Sequence, residues 1–233
     1  MINNFFTLLE EAFFKAKIEY SKAIAEKFFI YYDLLLEYNK KVNLTAITDM
    51  KEVINKHFVD SLLPLATYYL KENVYCIDVG TGAGFPGVPL AIMRPDINMT
   101  LLDSLNKRLV FLQELCEQLE LNNCTIVHAR AEDAARDKYR ESFDISVSRG
   151  VSQLNILTEY CLPFVKTGGY MLSLKSLSAK DEIENAKHAV DILGGKVIEI
   201  FGTEERNIVV IEKQKPTPSA YPRRAGKPEK QPL

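Results

Sequence analysis

The chain has 233 residues, a formal net charge of −2 and 47% hydrophobic residues. This length fits one large domain, alone or with a smaller attachment, and the apolar content excludes an intrinsically disordered chain. The near-neutral charge argues against a protein that binds nucleic acid through one large basic surface.

The four cysteines show no metal-binding pattern. Cys76, Cys116, Cys124 and Cys161 include no C-x-x-C pair and lie in or beside apolar runs, so we predict buried free thiols in a reducing compartment. No cluster has metal-ligand spacing, so no metal is expected. The N-terminus lacks a signal-peptide pattern and no apolar run reaches membrane-spanning length, which predicts a cytoplasmic protein without membrane contact.

The first third of the chain shows helical periodicity and few strand signals. Apolar residues in the stretch 28–39 recur at helical spacing, which predicts an amphipathic helix. A further helix is predicted over 49–70, with Asp49 as its N-cap. Pro64 is expected to kink this helix or divide it in two.

From residue 74 onward, strand patterns alternate with helical patterns, which predicts a parallel sheet with helices on both faces. Only three residues separate the last two strands, and so short a link can join only antiparallel neighbours. The strands are predicted at 74–79, 98–103, 125–129, 143–148, 170–175, 196–202 and 206–214. Helices are predicted at 88–94, 105–119, 154–165 and 178–193.

Four glycines follow the first predicted strand, in the stretch DVGTGAGFPG. Glycine is costly to order and packs no side chain, so a plain turn does not need so many. Ligands of open parallel sheets bind at the carboxyl ends of the strands, where this loop lies. Gly80 and Gly82 are therefore predicted to let a ligand approach the main chain. A P-loop is excluded because no Lys-Ser or Lys-Thr follows at the required spacing.

Asp103 closes the second predicted strand, 19 residues after Gly84. An acidic residue at this place can accept hydrogen bonds from a ribose diol, and it can also cap the helix that follows. Its pairing with the glycine loop favours the ribose interpretation. The predicted ligand therefore contains adenosine.

The end of the glycine loop separates two classes of adenosine ligand. A dinucleotide loop reads G-x-G-x-x-G, but Phe85 stands at the last of these positions and Pro86 follows it. Both side chains would crowd a diphosphate, and the terminal hairpin also differs from a dinucleotide fold. We therefore favour S-adenosylmethionine over NAD. An NAD-type oxidoreductase and a non-catalytic nucleotide-binding regulator remain as alternatives.

An ordered set of motifs resembles the RsmG, or GidB, family of bacterial methyltransferases. The motifs are NLTAI, HFVDSL, DVGTGAGFPGVPLAI, LLDSLNKRLVFL, HARAED, VSRGVSQL and the ending YPRRAGKPEKQPL. The resemblance covers nearly the whole chain. It implies an α/β fold of the class I S-adenosylmethionine-dependent methyltransferases, a Rossmann-like, mostly parallel seven-stranded sheet that ends in an antiparallel hairpin, behind an N-terminal helical region.

The resemblance also implies a function and a set of cofactor residues. The reaction is methylation of N7 of one guanosine in 16S rRNA. We expect the partner to be 16S rRNA or a small-subunit ribosomal particle, and the enzyme to be a monomer. Asp103 meets the ribose, Ala131 and Glu132 meet the adenine, and Arg149 stands beside the methyl-donor pocket. The residues that the family motifs place at the cofactor are Gly80, Phe85, Asp103, Ala131, Glu132 and Arg149.

Two basic residues at the ends of predicted strands are pocket candidates. Arg149 can line the ligand edge or form a surface ion pair. Lys175 can meet a phosphate or remain a solvated lysine. His57 and Asp60 lie three residues apart on one helix and are expected to form a structural pair. Guanine N7 carries a lone pair and no proton, so we expect no general base and no certain catalytic residue.

The chain is expected to have three parts. Residues 1–72 form an N-terminal helical region packed on the core, residues 73–213 form the methyltransferase domain, and residues 214–233 form a basic, Pro-rich, extended tail. The tail, including Arg223 and Arg224, and the loops around the pocket are predicted to hold the RNA.

Overall fold

The computed structural model describes residues 2–175, 179–202 and 206–233. The strands are β1 (Tyr75–Val79), β2 (Asn98–Asp103), β3 (Cys124–His128), β4 (Phe143–Arg149), β5 (Val165–Lys175), β6 (Gly195–Gly202) and β7 (Asn207–Lys213). The helices are α1 (Ile2–Ala16), α2 (Lys22–Asn39), α3 (Met50–Val53), α4 (Gly87–Met93), α5 (Asn106–Gln118), α6 (Ala131–Ala134), α7 (Leu154–Cys161), α8 (Ala179–Ile192) and α9 (Lys227–Lys230).

In the described part of the chain, the strands form one seven-stranded sheet in the order β3-β2-β1-β4-β5-β7-β6. Strands β1 to β5 are parallel, whereas β7 runs antiparallel to both β5 and β6. The predicted mixed sheet with a terminal hairpin is confirmed. Strand order reverses between β1 and β4, so the carboxyl ends of these strands form the crevice in which ligands of such sheets bind.

Several predicted boundaries differ from those of the structure. Helix α7 ends at Cys161, and a 3₁₀ turn with Pro163 replaces the rest of the predicted helix. Strand β5 begins at Val165, five residues earlier than predicted, because the pair Gly168-Gly169 continues the strand instead of breaking it. The predicted start of α8 at Ser178 and the link 203–205 lie outside the described residues.

The N-terminal helices pack on the sheet through an aromatic cluster. Apolar side chains at helical spacing on α1 and α2 face inward, and four of the aromatic ones, together with Phe58 of the segment after α3, are fully buried. Their rings lie in contact distance, mostly edge to face or tilted. The five fully buried aromatic residues of this region are Phe5, Phe13, Phe28, Tyr31 and Phe58.

The predicted helix over 49–70 is broken into short pieces. Asp49 is its N-cap, as predicted, and its Oδ1 accepts a hydrogen bond from the Glu52 N–H at 3.0 Å. Helix α3 continues into a π-helical turn over Ile54–Val59, and Pro64 lies at the start of a 3₁₀ turn over Leu63–Ala66. The division at Pro64 was predicted, whereas the wider turn before it was not.

Three of the four cysteines fulfil the prediction of buried free thiols. Cys76, Cys116 and Cys161 are buried, Cys124 is half-buried, and none forms a disulfide. The described residues contain no group of side chains arranged to hold a metal ion. None of the described helices is long and apolar enough to cross a membrane.

The helical region fixes the glycine loop directly. The Tyr31 hydroxyl of α2 donates a hydrogen bond to the Ala83 carbonyl at 2.5 Å. The Phe85 ring stacks on the Tyr31 ring at 5.2 Å and on the His57 imidazole at 4.7 Å, so it lies between two N-terminal elements. Phe85 is only 6% exposed. The loop is therefore held by residues more than 20 positions upstream of it in the sequence.

We predict that Tyr31→Phe lowers the free energy of unfolding by about 1–3 kcal/mol, because it leaves the buried Ala83 carbonyl without a donor. Tyr32→Phe is the matched control, since the Tyr32 ring is also buried but its hydroxyl bonds to no described residue. This control should change stability by less than about 0.5 kcal/mol. Urea unfolding of the two variants measures both values, and equal losses would contradict the role of the hydroxyl.

Candidate functional site

The glycine loop requires glycine at three positions. Gly80, Gly82 and Gly84 have φ values of +73°, +60° and +96°, a backbone conformation that side chains disfavour. A Cβ on Gly80 would also lie 2.6 Å from a methyl group of Val151, and one on Gly84 would lie 2.6 Å from the Tyr31 hydroxyl. The loop is thus tightly turned and closely packed at the same time.

Asp78, at the end of β1, holds this loop from below. Its Oδ2 accepts hydrogen bonds from the Thr81 hydroxyl at 2.7 Å and from the Gly87 N–H at 2.8 Å. Burial raises the pKa of Asp78 to about 7, although these two hydrogen bonds favour the charged form. The role of Asp78 in holding the glycine loop was not predicted from the sequence. An acidic residue inside an apolar strand, directly before the glycines, was the available signal.

Asp103 joins the ends of β1 and β2. Its Oδ2 accepts a hydrogen bond from the Gly82 N–H at 2.9 Å and lies 3.2 Å from Arg108, and its Oδ1 accepts one from the Leu105 N–H at 2.9 Å. The Leu105 contact closes a local turn ahead of α5 and is not the helix cap considered from the sequence, because Leu105 itself is the N-cap and no side chain caps this helix. The Gly82 contact places the carboxylate against the glycine loop.

A cavity of about 210 Å³ opens at the carboxyl ends of β1, β2 and β3. Four residues predicted to contact the cofactor lie on its wall: Gly80, Asp103, Ala131 and Glu132. Tyr160 and Glu229 also line it, and the sequence analysis did not single out either residue. Nothing in the sequence marked Glu229, because it comes from the C-terminal segment and reaches the cavity only through the fold.

Two other predicted cofactor residues lie behind the wall of this cavity. Gly82 donates its N–H to Asp103 and so supports the carboxylate. Phe85 packs beneath the loop between Tyr31 and His57. Their position makes them supports of the cavity wall, and a ligand in the cavity would meet Gly80 and Asp103 first.

A second, larger cleft of about 520 Å³ adjoins the first at Val151 and Ser152, which line both spaces. Arg149 and Lys175, the two pocket candidates, lie on its wall. The helical segment after α3 forms the opposite side, and its contributors are Lys56, His57 and Asp60. The two spaces lie side by side at the switch point of the sheet and share this stretch of wall.

Arg149 joins the two sides of the second cleft. Its guanidinium donates hydrogen bonds to Asp60 Oδ2 at 2.6 Å and to the carbonyls of Lys56 and His57 at 3.0 and 3.3 Å. It also lies over the Phe85 ring, 5.0 Å from the centroid. The ion pair was one of the two predicted roles, but it is largely buried and belongs to the cleft wall.

His57 is the central titratable group of this contact. Its Nε2 lies 2.8 Å from the Thr45 hydroxyl, and its Nδ1 lies 3.4 Å from an Arg149 nitrogen. Burial, and then the nearby Arg149 charge, lower the pKa of His57 to about 4. The ring is therefore neutral at pH 7. His57 and Asp60 were expected to pair with each other, but the structure connects them through Arg149.

Lys175 is held by its neighbours at the edge of the cleft. Its Nζ donates hydrogen bonds to the Ser152 carbonyl at 2.6 Å and to Glu182 at 2.7 Å. The side chain is only 9% exposed, so it is not a solvated lysine. Because Ser152 lines both spaces, the hydrogen bond from Lys175 holds a residue of their shared wall in place.

We predict that His57 makes the protein less stable as the pH falls from 6.5 to 4. The pKa of this ring is about 4 in the folded protein and 6.5 in the unfolded chain, so the unfolded state binds more protons in this window. The stabilisation is complete above pH 6.5 and lost near pH 4. We expect a loss of about 2 kcal/mol, less than the full shift implies, because the ring is partly exposed.

Urea unfolding of the wild type and of His57→Gln at several pH values between 7 and 4 measures this loss. Subtraction of the two curves removes the carboxylates that titrate in both proteins. The wild type should lose more stability than the variant. Parallel curves would show that His57 does not titrate in this window.

Comparison with known proteins places this chain in a family. A family model named GidB, rRNA small subunit methyltransferase G, matches residues 24–209. The ribosomal RNA small subunit methyltransferase G of Alkaliphilus oremlandii is 48% identical, over 97% of this chain and 98% of that protein. The one of Alkaliphilus metalliredigens is 50% identical, over 87% of this chain and 88% of that protein.

A solved structure from Methanococcus maripaludis, described as a putative S-adenosyl-L-methionine-dependent methyltransferase, has the same fold. It aligns with a TM-score of 0.56 and 18% identity, over 71% of this chain and 91% of that one. The family model covers most of the chain, and the relatives match it over nearly its full length. The chain belongs to the GidB family, rRNA small subunit methyltransferase G.

Proposed function

We propose that this protein transfers the methyl group of S-adenosylmethionine to N7 of a guanosine in 16S rRNA. The observation that carries the proposal is a pair of adjoining cavities at the switch point of the sheet, one beside the glycine loop and one beside Arg149. Membership of a family of rRNA methyltransferases supports the reaction and the class of substrate. We further propose that a monomer acts in the cytoplasm, on 16S rRNA or on a small-subunit particle.

The smaller cavity fits the adenosine part of the cofactor. Gly80 lines the cavity and has no side chain, so a ligand can approach its main chain. Asp103 presents a carboxylate at the end of β2, where sheets of this kind hold the acceptor of the ribose hydroxyls. Ala131 and Glu132 stand where the adenine would lie. Gly82 and Phe85 would act from behind the wall, as supports. When bound, S-adenosylmethionine supplies a methyl group on a positively charged sulfur.

The chain does not need to supply a general base for this reaction. Guanine N7 has a lone pair and no proton to lose, so the protein has only to bring the base and the methyl group together. Two side chains of the larger cleft that could accept a proton, Asp60 and His57, are already bound to arginines. Asp60 lies between Arg149 and Arg206, and the Nδ1 atom of His57 faces the Arg149 guanidinium. The arrangement therefore favours catalysis by positioning and electrostatic environment.

The larger cleft suits the target nucleotide. Its rim carries cations that could meet the phosphates on either side of the target guanosine, although the chain as a whole is near neutral. The backbone carbonyls of Lys56 and His57 are bound by Arg149, which keeps this wall rigid. The cations exposed at the rim are Lys56 and Arg206, whose side chains are 50% and 42% exposed, whereas Arg149 and Lys175 are held within the wall. We propose that residues 1–72 form the outer wall of this cleft and residues 73–213 its floor.

A methyl-transfer assay tests the proposal. Purified protein is incubated with methyl-labelled S-adenosylmethionine and either naked 16S rRNA or small-subunit particles. Mass analysis of the digested nucleosides identifies the product, and we expect labelled 7-methylguanosine. 23S rRNA is the control substrate and should remain unlabelled. Label at another atom, or none on either substrate, would refute the proposed reaction.

We predict that Asp103→Asn weakens cofactor binding by about tenfold and changes turnover at saturating cofactor by less than threefold. The variant weakens a contact that is the same in the ground state and the transition state, so it raises KM and spares kcat. Asp133→Asn is the matched control, because it removes the same charge from an exposed position beside Glu132. Calorimetric titration with S-adenosylhomocysteine gives the affinities, and equal values for the two variants would argue against a ribose role for Asp103.

A further inference from the structure

The C-terminal segment 214–233 is docked along the domain by a buried ion pair. Glu159 of α7 is fully buried, and both of its carboxylate oxygens are bonded by Arg223. The shortest of these contacts, from the guanidinium to Oε2, is 2.6 Å, and the Arg223 N–H donates to Oε1 at 2.7 Å. A buried carboxylate with so complete a set of donors binds its partner strongly.

Further contacts fasten the part of the segment that precedes this pair. The Arg140 guanidinium donates to the carbonyls of Thr217 at 2.6 Å and Tyr221 at 2.8 Å. Arg136 donates to the Pro222 carbonyl at 2.9 Å. The domain thus uses side chains of its own to hold the main chain of the segment, which is how an extended segment can be fixed without forming regular structure.

The end of the segment reaches the cofactor cavity. The Gly226 N–H donates to Glu132 Oε1 at 2.7 Å, and Gly226 has a φ of +76°, which its lack of a side chain allows. Glu229 of α9 then forms part of the cavity wall, next to Tyr160. Burial, with the charges of Glu132 and Glu229, raises the pKa of Tyr160 to about 12, so the three side chains lie close together.

We propose that residues 217–233 form the outer wall of the cofactor cavity, and that docking of this segment and binding of the cofactor strengthen each other through Glu132. The inference rests on the proposed function, because it assigns the cavity to S-adenosylmethionine. It gives the segment a role at the cofactor in place of the RNA contact predicted for Arg223, whose guanidinium is bound to Glu159.

The coupling follows from the position of Glu132. This carboxylate is 3% exposed and has the Gly226 N–H as a donor on one side and the cavity on the other. Loss of the segment removes that donor and opens the cavity wall at Glu229. A ligand that needs Glu132 in its present orientation therefore binds better to the docked form. By thermodynamic linkage, the same ligand must hold the segment in place by the same factor.

Limited trypsin digestion of the unmodified protein tests this reciprocity. Trypsin cleaves after Arg223 only when this guanidinium has left Glu159, whereas the bond after Lys17 lies between α1 and α2 and away from the cavity. We expect saturating S-adenosylhomocysteine to slow the cleavage after Arg223 by at least fivefold, the lower range of allosteric coupling. Cleavage after Lys17 should keep its rate.

Variants test the other direction. Arg223→Ala should weaken the affinity for S-adenosylhomocysteine at least fivefold. Arg224→Ala is the matched control, because it removes the same charge one residue later and its side chain bonds to no described residue. Gly226→Ala disturbs the segment without exposing Glu159, since the new methyl group meets nothing within 4 Å and only the positive φ opposes it. Gly226→Ala should weaken the affinity for S-adenosylhomocysteine about threefold. This variant still tests the coupling if Arg223→Ala does not fold.

The outcomes separate this inference from the proposed function. A wild-type protein that binds S-adenosylhomocysteine, but is cleaved equally fast with and without it, would overturn the coupling and leave the methyltransferase intact. Wild-type affinity in Gly226→Ala, together with wild-type affinity in a folded Arg223→Ala, would overturn it as well. A wild-type protein that binds neither S-adenosylhomocysteine nor S-adenosylmethionine would refute the proposed function and this inference together.

Discussion

The left-handed glycine loop after β1 is the constraint on which the rest of the site depends. Three glycines with positive φ, at alternate positions, bring the main chain to the ligand edge, and such a backbone persists only when its surroundings hold it. Asp78 bonds the loop from below, Asp103 from the side through the Gly82 N–H, and Tyr31 from the helical region through the Ala83 carbonyl. The N-terminal helices therefore support the proposed cofactor site, although none of their described residues lines the smaller cavity.

Arg149 connects three elements that surround the two cavities. It belongs to β4, it is bound by the segment after α3, and it lies over the Phe85 ring of the glycine loop. These contacts tie the three elements together, so Arg149 helps to fix the spacing between the proposed cofactor cavity and the proposed substrate cleft. For a reaction that depends on bringing two reactants together, a rigid spacing matters more than a strong acid or base.

The sequence predicted what depends on local patterns. The alternation of strands and helices, the terminal hairpin, the Asp49 cap and the glycine loop all rest on residues near one another in the chain, and the structure confirms them. The contacts of Phe85 and Lys175 rest on residues far away in the sequence, which no period or motif reveals. Glu229 illustrates the same limit, because a basic, proline-rich composition says nothing about where one acidic side chain of that segment will lie.

The π-helical turn over Ile54–Val59 determines which side chains of the cleft wall face the sheet. A π turn holds one residue more than an α turn, and each residue of an α-helix advances the helix by about 100°. The extra residue therefore decides which side chains after it face the sheet. Asp60, the first residue after this turn, is one of them, and the Arg149 guanidinium binds it. Deletion of one residue within Ile54–Val59 would rotate Asp60 and the residues after it by about 100° about the helix axis, so a change of chain length there alters this wall in a way that a substitution does not.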